Sequence, residues 1–126
     1  MGLSVFNVIL LNEFPDEEAD RAVGKKNLLV RFGREKAVDL YLGLLLLSGL
    51  TFLKVLSILG PRPFWLWMLA GVPVLLIVWN FILMWRGSDA APETLAVLCR
   101  NGLLVNLAIT VVLTLQQTVT SAVPGR

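Results

Sequence analysis

The stretch of residues 64–85 reads FWLWMLAGVPVLLIVWNFILMW, which is 22 residues without a charged side chain. An α-helix needs about 20 consecutive apolar residues to cross the hydrocarbon core of a bilayer. Two further apolar tracts of similar length flank it, at 37–60 and 94–116. As a helix, the first of these would be about 36 Å long, enough to cross with some tilt. The sequence therefore predicts an all-α fold, a polytopic bundle of transmembrane helices.

The composition agrees with this fold class and excludes several functions. Of 126 residues, 56% are hydrophobic and 16% are charged, and the mean hydropathy is +0.76, which is atypical of a soluble domain. No histidine is present, so zinc chemistry and the usual arrangements of a nucleophile with histidine are not expected. The net charge is only +2 and most basic residues lie in one juxtamembrane stretch, which does not indicate nucleic-acid binding.

The whole chain, residues 1–126, is expected to form one membrane domain. Residues 1–11 are apolar but reach only about half the length of a span. Two interpretations stay open, a short amphipathic start or the end of a helix truncated upstream, and we favour the second. Residues 12–36 hold an acidic segment and then, over 21–36, a basic loop against the membrane surface. Prolines at 61 and 63 are expected to turn the chain between the first two spans.

The distribution of basic residues predicts the orientation. Seven Lys and Arg residues lie in 12–36 and 86–92, against two, Arg62 and Arg126, on the opposite side. By the positive-inside rule, residues 12–36 then face the cytoplasm. We therefore expect an integral, multi-pass protein of the cell (plasma) membrane, surrounded by the lipid bilayer, with the acidic segment on the cytoplasmic side.

Several polar residues lie inside the apolar tracts. We expect the amides of Asn80, Asn101 and Asn106 to bond between helices, because such bonds satisfy polar groups within a bilayer. Lys54 and Arg100 are close enough to an interface to extend their charged ends toward water.

The acidic segment carries the chemistry of the chain. Five acidic residues fall within the eight positions 13–20. If the helix continues through them, Asn12, Asp16 and Asp20 are spaced i, i+4, i+8 and project from one face. Mg²⁺ prefers one or two carboxylates together with phosphate oxygens and waters, so this stripe suits a magnesium–diphosphate. Three basic residues that follow could neutralise the same phosphates: Lys25, Lys26 and Arg31.

A less specific interpretation competes with the metal site. Acidic residues are common at solvated helix ends, Glu17 and Arg21 form an i, i+4 pair, and D-x-x-x-D spacing often occurs by chance. Pro15 either kinks the helix and aims the carboxylates, or marks the end of the helix. Both alternatives remain open from the residues alone.

The segment 12–33, NEFPDEEADRAVGKKNLLVRFG, has the pattern N-x-x-x-D-x-x-x-D-R-x-x-G-K and ends in V-R-x-G. It resembles the second aspartate-rich motif and the following loop of the UbiA superfamily of intramembrane prenyltransferases. The closest resemblance is to the 1,4-dihydroxy-2-naphthoate polyprenyltransferases of the menaquinone pathway. In that family nine helices surround a central cavity, and three helices follow the second motif, as three spans do here. The resemblance implies that the chain is the C-terminal part of such a fold, with its N-terminal half missing.

The resemblance also implies roles for individual residues. Asp16 and Asp20 would bind Mg²⁺, Asn12 would support the metal or the phosphate, and the candidate diphosphate contacts are Lys25, Lys26 and Arg31. The substrates would be a polyprenyl diphosphate and an aromatic acceptor. Asn27 stands where threonine is common, and no segment matches the first aspartate-rich motif, so we expect the chain alone to be inactive. The alternatives are a non-catalytic membrane protein, a transporter fragment, or another membrane enzyme acting on phosphorylated lipids.

Overall fold

The computed structural model describes residues 2–58, 64–87 and 92–121. Over these residues the chain is helical apart from short connections and contains no strand, which confirms the all-α prediction. The expected turn at 61–63 lies outside the described residues. The helices are α1 Gly2–Glu13, α2 Glu17–Ala22, α3 Leu28–Phe32, α4 Arg34–Ile58, α5 Phe64–Trp85 and α6 Pro92–Ser121.

Three of these helices, α4, α5 and α6, are long and apolar enough to cross a membrane. α5 covers the same residues as the expected span, and α4 begins three residues earlier than expected, directly after Gly33. α6 continues to Ser121, five residues past the expected end at 116, and two hydroxyl groups in this last stretch bond to the preceding turn. Thr118 Oγ1 donates to the Leu115 carbonyl at 2.8 Å, and Ser121 Oγ donates to the Thr118 carbonyl at 3.0 Å.

α1 packs antiparallel to α6 at close range. A Cβ atom at Gly102 would lie 3.0 Å from Val8 Cγ2, so only glycine lets the two helices approach this closely without a shift. Ser4 Oγ donates a hydrogen bond to Asn106 Oδ1 across the same contact. Ser4 contacts Asn106, and Val8, which comes later in α1, contacts Gly102, which comes earlier in α6, so the two helices are antiparallel. With 12 residues, α1 is about 18 Å long and does not reach across a bilayer on its own.

The remaining helices close the bundle. α1 lies against both α4 and α6, α5 packs against α4 and most extensively against α6, and α3 lies against α4. The core between them is apolar, and its most buried large side chains include Leu10, Leu11, Leu29, Tyr41, Leu56, Met84, Leu98 and Val105. Much of the surface of α4, α5 and α6 is apolar and exposed, as expected for helices that face lipid or further helices.

The asparagines within the spans form hydrogen bonds between helices, as the sequence predicts. Asn101 Nδ2 on α6 donates to Asn80 Oδ1 on α5 at 3.0 Å, and both side chains are buried. Asn106 joins α6 to α1 through Ser4. Lys54 and Arg100 both have exposed side chains.

The structure decides between the two interpretations of Pro15, because no single helix runs through residues 12–20. α1 ends at Glu13, a turn follows, and α2 begins at Glu17. Pro15 lies within the turn and has no amide hydrogen to continue the ladder of helix hydrogen bonds. Of the two roles that the sequence left open for this proline, the structure shows the end of a helix.

The structure also corrects the expectation of a loop over 21–36. This stretch contains the end of α2, all of α3 and the first turn of α4. Asn27 caps α3, because its Oδ1 accepts the Val30 amide hydrogen at 2.8 Å. Gly33, with φ of +83°, ends α3 in a conformation that other residues rarely adopt.

Candidate functional site

The acidic segment lies where four helix termini meet. A cleft of about 510 Å³ is lined by Arg34 and Val38 at the start of α4 and by Trp85 at the end of α5, so these termini are neighbours. A second cleft, of about 410 Å³, brings Phe14 after α1 together with Leu95 near the start of α6. We call this region, with α2 and α3, the acidic end of the bundle.

Glu17 joins α2 to the start of α4. Its carboxylate is paired with Arg21 at 2.9 Å, the expected i, i+4 pair, and with Arg34 at 3.0 Å. The Arg34 guanidinium also lies over the ring of Phe14, 5.3 Å from its centroid. The Phe14 ring is buried, so the turn after α1 is anchored in the apolar core. Glu17 is therefore a structural residue of the acidic end.

The Asp20 carboxylate is the most enclosed acidic group, and two donors hold it. Only 12% of its side chain is exposed. Lys25 Nζ lies 3.0 Å from Oδ1 and 2.9 Å from Oδ2, and Asn27 Nδ2 donates to Oδ2 at 2.7 Å. The hydrogen bond to Asp20 raises the pKa of the Lys25 ammonium, and the charges of Asp20, Asp16 and Glu13 act in the same direction. Lys25 is therefore charged at neutral pH.

Glu13 and Asn27 tie this arrangement to α3. Glu13 Oε2 accepts the Leu29 amide hydrogen at 3.1 Å, and Asn27 Oδ1 accepts that of Val30. Two amides at the start of α3 are thus satisfied by side chains from outside the helix. Because Asn27 also donates to Asp20, one side chain connects the α3 terminus to the carboxylate.

The other predicted site residues are more open. Asp16 is exposed and its side chain does not cap α2. Asn12 is also exposed, and its Oδ1 accepts a weak hydrogen bond from the Cys99 thiol of α6 at 3.5 Å. Lys26 and Arg31 are exposed as well. The structure thus brings Asp20 and Lys25 into contact, and Asp16 close enough to act on Lys25.

The sequence pattern does not identify three residues that contribute to the acidic end. In the sequence Glu13 is one of five acidic residues, Asn27 is a departure from the motif, and Arg34 is one of several basic residues. An N-cap signal was present in Asn27 directly before an apolar run. No sequence signal connected Asn27 to Asp20, because that contact depends on how the chain turns between them.

The comparisons with known proteins decide the family. A family model described as the UbiA prenyltransferase family matches residues 1–113. The chain belongs to the UbiA prenyltransferase family. No match was found in the comparison with curated proteins or in the comparison with solved structures. UbiA membership supports prenyl transfer as the class of activity, with prenyl substrates in a membrane environment, in agreement with three helices that are able to span a bilayer.

The predicted metal ligands at the acidic end of this UbiA chain are oxygen donors that differ in their exposure. Among the residues that the structure describes, no group of three His, Cys, Asp or Glu side chains is arranged to hold a metal ion. What is present is one enclosed carboxylate, Asp20, one exposed carboxylate, Asp16, and the amide oxygen of Asn12. This donor set lacks the ligands of a closed protein cage. It fits Mg²⁺ that takes its remaining ligands from phosphate oxygens and water.

Proposed function

We propose that the chain takes part in Mg²⁺-dependent transfer of a prenyl group from a polyprenyl diphosphate to an aromatic quinone precursor, 1,4-dihydroxy-2-naphthoate. It supplies the second aspartate-rich motif of the enzyme, with Asp16 and Asp20 as metal ligands and Asn12 in support. The observation that carries the proposal is the Asp20 carboxylate, which is nearly enclosed and held by charged and amide donors at the mouth of an apolar bundle. Together with UbiA membership, this favours chemistry over a solvated helix end.

In this proposal Asp16 and Asp20 would hold Mg²⁺ at the acidic end. The bound ion would supply positive charge to offset that of the departing diphosphate. Lys25, Lys26 and Arg31 contact the diphosphate, and their exposure leaves them accessible to a ligand that arrives at the acidic end. The apolar surfaces of α4, α5 and α6 lie in lipid or against the prenyl chain and further helices.

We further propose that the acidic end faces the cytoplasm in the plasma membrane. The seven basic residues on this side support that orientation. We also propose that activity requires an N-terminal part with about six more helices and the first aspartate-rich motif. The four apolar helices of the described chain are too few to enclose both a polyprenyl tail and an aromatic ring.

The decisive experiment compares the two proposed metal ligands, Asp16 and Asp20, with a nearby carboxylate that has no proposed role. In an enzyme completed by an N-terminal part, Asp16→Ala and Asp20→Ala should each abolish Mg²⁺-dependent release of diphosphate from a prenyl donor. Glu18→Ala is the matched control, since Glu18 is exposed on the same short helix, α2, and should keep most activity. Glu17 is a poor control, because its two ion pairs support the fold.

Two outcomes would contradict the proposal. If activity tolerates substitution equally at Asp16, Asp20 and Glu18, the segment is a solvated helix end and not a metal site. The same transfer assay on membranes with this chain alone should show no turnover. Robust Mg²⁺-dependent turnover there would show that no N-terminal part is required. If the purified chain binds no prenyl diphosphate with or without Mg²⁺, the non-catalytic alternative is favoured.

A further inference from the structure

Both oxygens of the Asp20 carboxylate are occupied in the structure. The Lys25 ammonium spans Oδ1 and Oδ2 at 3.0 and 2.9 Å, and the Asn27 amide takes a further position on Oδ2 at 2.7 Å. A carboxylate offers about four lone-pair positions, so these contacts use most of its capacity. Mg²⁺ binds carboxylate oxygens at roughly 2.0–2.1 Å and cannot share a lone-pair direction with an ammonium group. One position on Oδ1 remains, next to the Lys25 charge, so a cation that binds Asp20 through both oxygens must displace one of the two donors.

The two donors differ in how easily they leave. Asn27 is fixed at its other amide atom, because Oδ1 accepts the Val30 amide hydrogen at 2.8 Å and caps α3. Lys25 is 60% exposed and sits on a flexible four-carbon chain. It also follows Gly24, whose φ of +71° belongs to a turn and not to a helix. Moving Lys25 therefore breaks one ion pair that is open to water on the lysine side, whereas moving Asn27 also uncaps a helix.

We propose that Lys25 is an internal counterion of Asp20 that a divalent cation displaces, while Asn27 is a positioning residue that keeps the carboxylate in place during the exchange. The proposal rests on the proposed function, since it takes Asp20 as a metal ligand. The ammonium holds the place of the metal in its absence and limits the cost of a nearly enclosed charge. Once displaced, Lys25 remains beside the metal and contacts the diphosphate. Metal alone thus binds weakly, and metal with diphosphate binds well.

The test measures binding of Mn²⁺ alone to the full chain in nanodiscs of zwitterionic lipid, by the electron paramagnetic resonance signal of unbound Mn²⁺. Mn²⁺ accepts the same oxygen ligands as Mg²⁺. Lys25→Met removes the charge and keeps most of the side-chain length. Because an ion pair that is open to water on its lysine side contributes little, we expect the affinity for Mn²⁺ to rise by about two- to fivefold. Lys25→Arg should keep the wild-type affinity. In the presence of inorganic diphosphate, Lys25→Met should bind Mn²⁺ more weakly than the wild type does.

The matched control is Lys36→Met, in the first turn of α4, at a residue that takes no part in the proposed site. Lys36 is exposed, and within the described residues no hydrogen bond or ion pair joins it to Asp20. Its substitution should leave the affinity for Mn²⁺ alone unchanged. Circular dichroism and elution volume check that each variant is folded. If Lys25→Met does not fold, Lys25→Gln is used in its place.

The outcomes separate this inference from the function on which it rests. If Asp20→Asn loses Mn²⁺ binding but Lys25→Met binds Mn²⁺ no better than the wild type, the counterion role is wrong and the metal role of Asp20 stands. A rise in affinity for Lys36→Met equal to that for Lys25→Met would also overturn the inference, since it would show a general effect of net charge. If Asp20→Asn binds Mn²⁺ as the wild type does, both proposals fail.

Discussion

Asn27 makes two hydrogen bonds that different substitutions can separate. Its Oδ1 caps α3 by accepting the Val30 amide hydrogen, and its Nδ2 donates to the Asp20 carboxylate. Asn27→Ala removes both bonds. Asn27→Ser keeps an oxygen that can cap α3, but the serine side chain is too short to reach Asp20. The serine variant should therefore lose only the bond to the carboxylate.

Typical energies of the two hydrogen bonds give the expected loss of stability in each variant. Loss of an N-cap costs about 1 kcal/mol. A hydrogen bond to a charged group contributes about 1.5–3 kcal/mol, and the low end applies because Asp20 keeps Lys25 as a partner. We therefore expect the free energy of unfolding to fall by about 1.5 kcal/mol in Asn27→Ser and by about 2.5 kcal/mol in Asn27→Ala.

Hydrogen exchange of the Val30 amide isolates the cap. A loss of about 1 kcal/mol corresponds to roughly fivefold faster exchange. Asn27→Ala should therefore exchange about fivefold faster at Val30 than Asn27→Ser, and reversible unfolding in mixed micelles gives the total loss. Lys26→Ala is the control and should change neither measurement. Equal Val30 exchange in the two Asn27 variants would refute the cap, and an unchanged unfolding midpoint in Asn27→Ser would refute the contribution of the bond to Asp20.

Three further predictions address the bundle and its orientation. Gly102→Val places side-chain atoms against Val8 and should lower the free energy of unfolding by about 1–3 kcal/mol; an unchanged midpoint would mean that α1 does not pack tightly on α6. Asn101→Leu leaves Asn80 Oδ1 without its donor and should lower the free energy of unfolding by about 0.6–1.7 kcal/mol. When Asn80 is also replaced by Leu, the losses of the two single variants should not add, and strictly additive losses would contradict the bond. Lys26→Cys, in a cysteine-free background, should react with an impermeant reagent only from the cytoplasmic side, and reaction from outside alone would reverse the orientation.

The long helices could be predicted from the sequence because apolar length is a local property. The tract 64–85 matches α5 residue for residue, since the bilayer requirement depends only on side-chain polarity and helix rise. The end of α6 could not be placed in this way, because hydropathy does not register that Thr118 and Ser121 satisfy their hydroxyls on the preceding turn. The pairing of Asn80 with Asn101 could be predicted in kind, as a bond between helices, but the partners needed the packing of α5 on α6.

The candidate site was predictable as a set of residues but not as an arrangement. Spacing and resemblance selected Asp20 and Lys25, and the structure places these two in contact. The spacing puts Asn12, Asp16 and Asp20 on one face only if one helix continues through them, and the chain instead turns around Pro15. The partners of a carboxylate depend on the path of the chain after such a break. A periodic pattern contains no information about that path, so the role of Asn27 emerged only from the structure.

The break at Pro15 is what makes an enclosed carboxylate possible. On an unbroken helix, Asp20 would lie eight residues beyond Asn12, about 12 Å further along the axis, and would extend past the end of the apolar bundle into water. The turn instead starts a separate short helix, α2, whose last residues lead directly into the segment that contains Lys25 and Asn27. Asp20 is thereby returned to the bundle, where little of it is exposed and two donors reach it. A proline that interrupts the stripe of acidic residues therefore gives Asp20 an environment different from that of exposed Asp16.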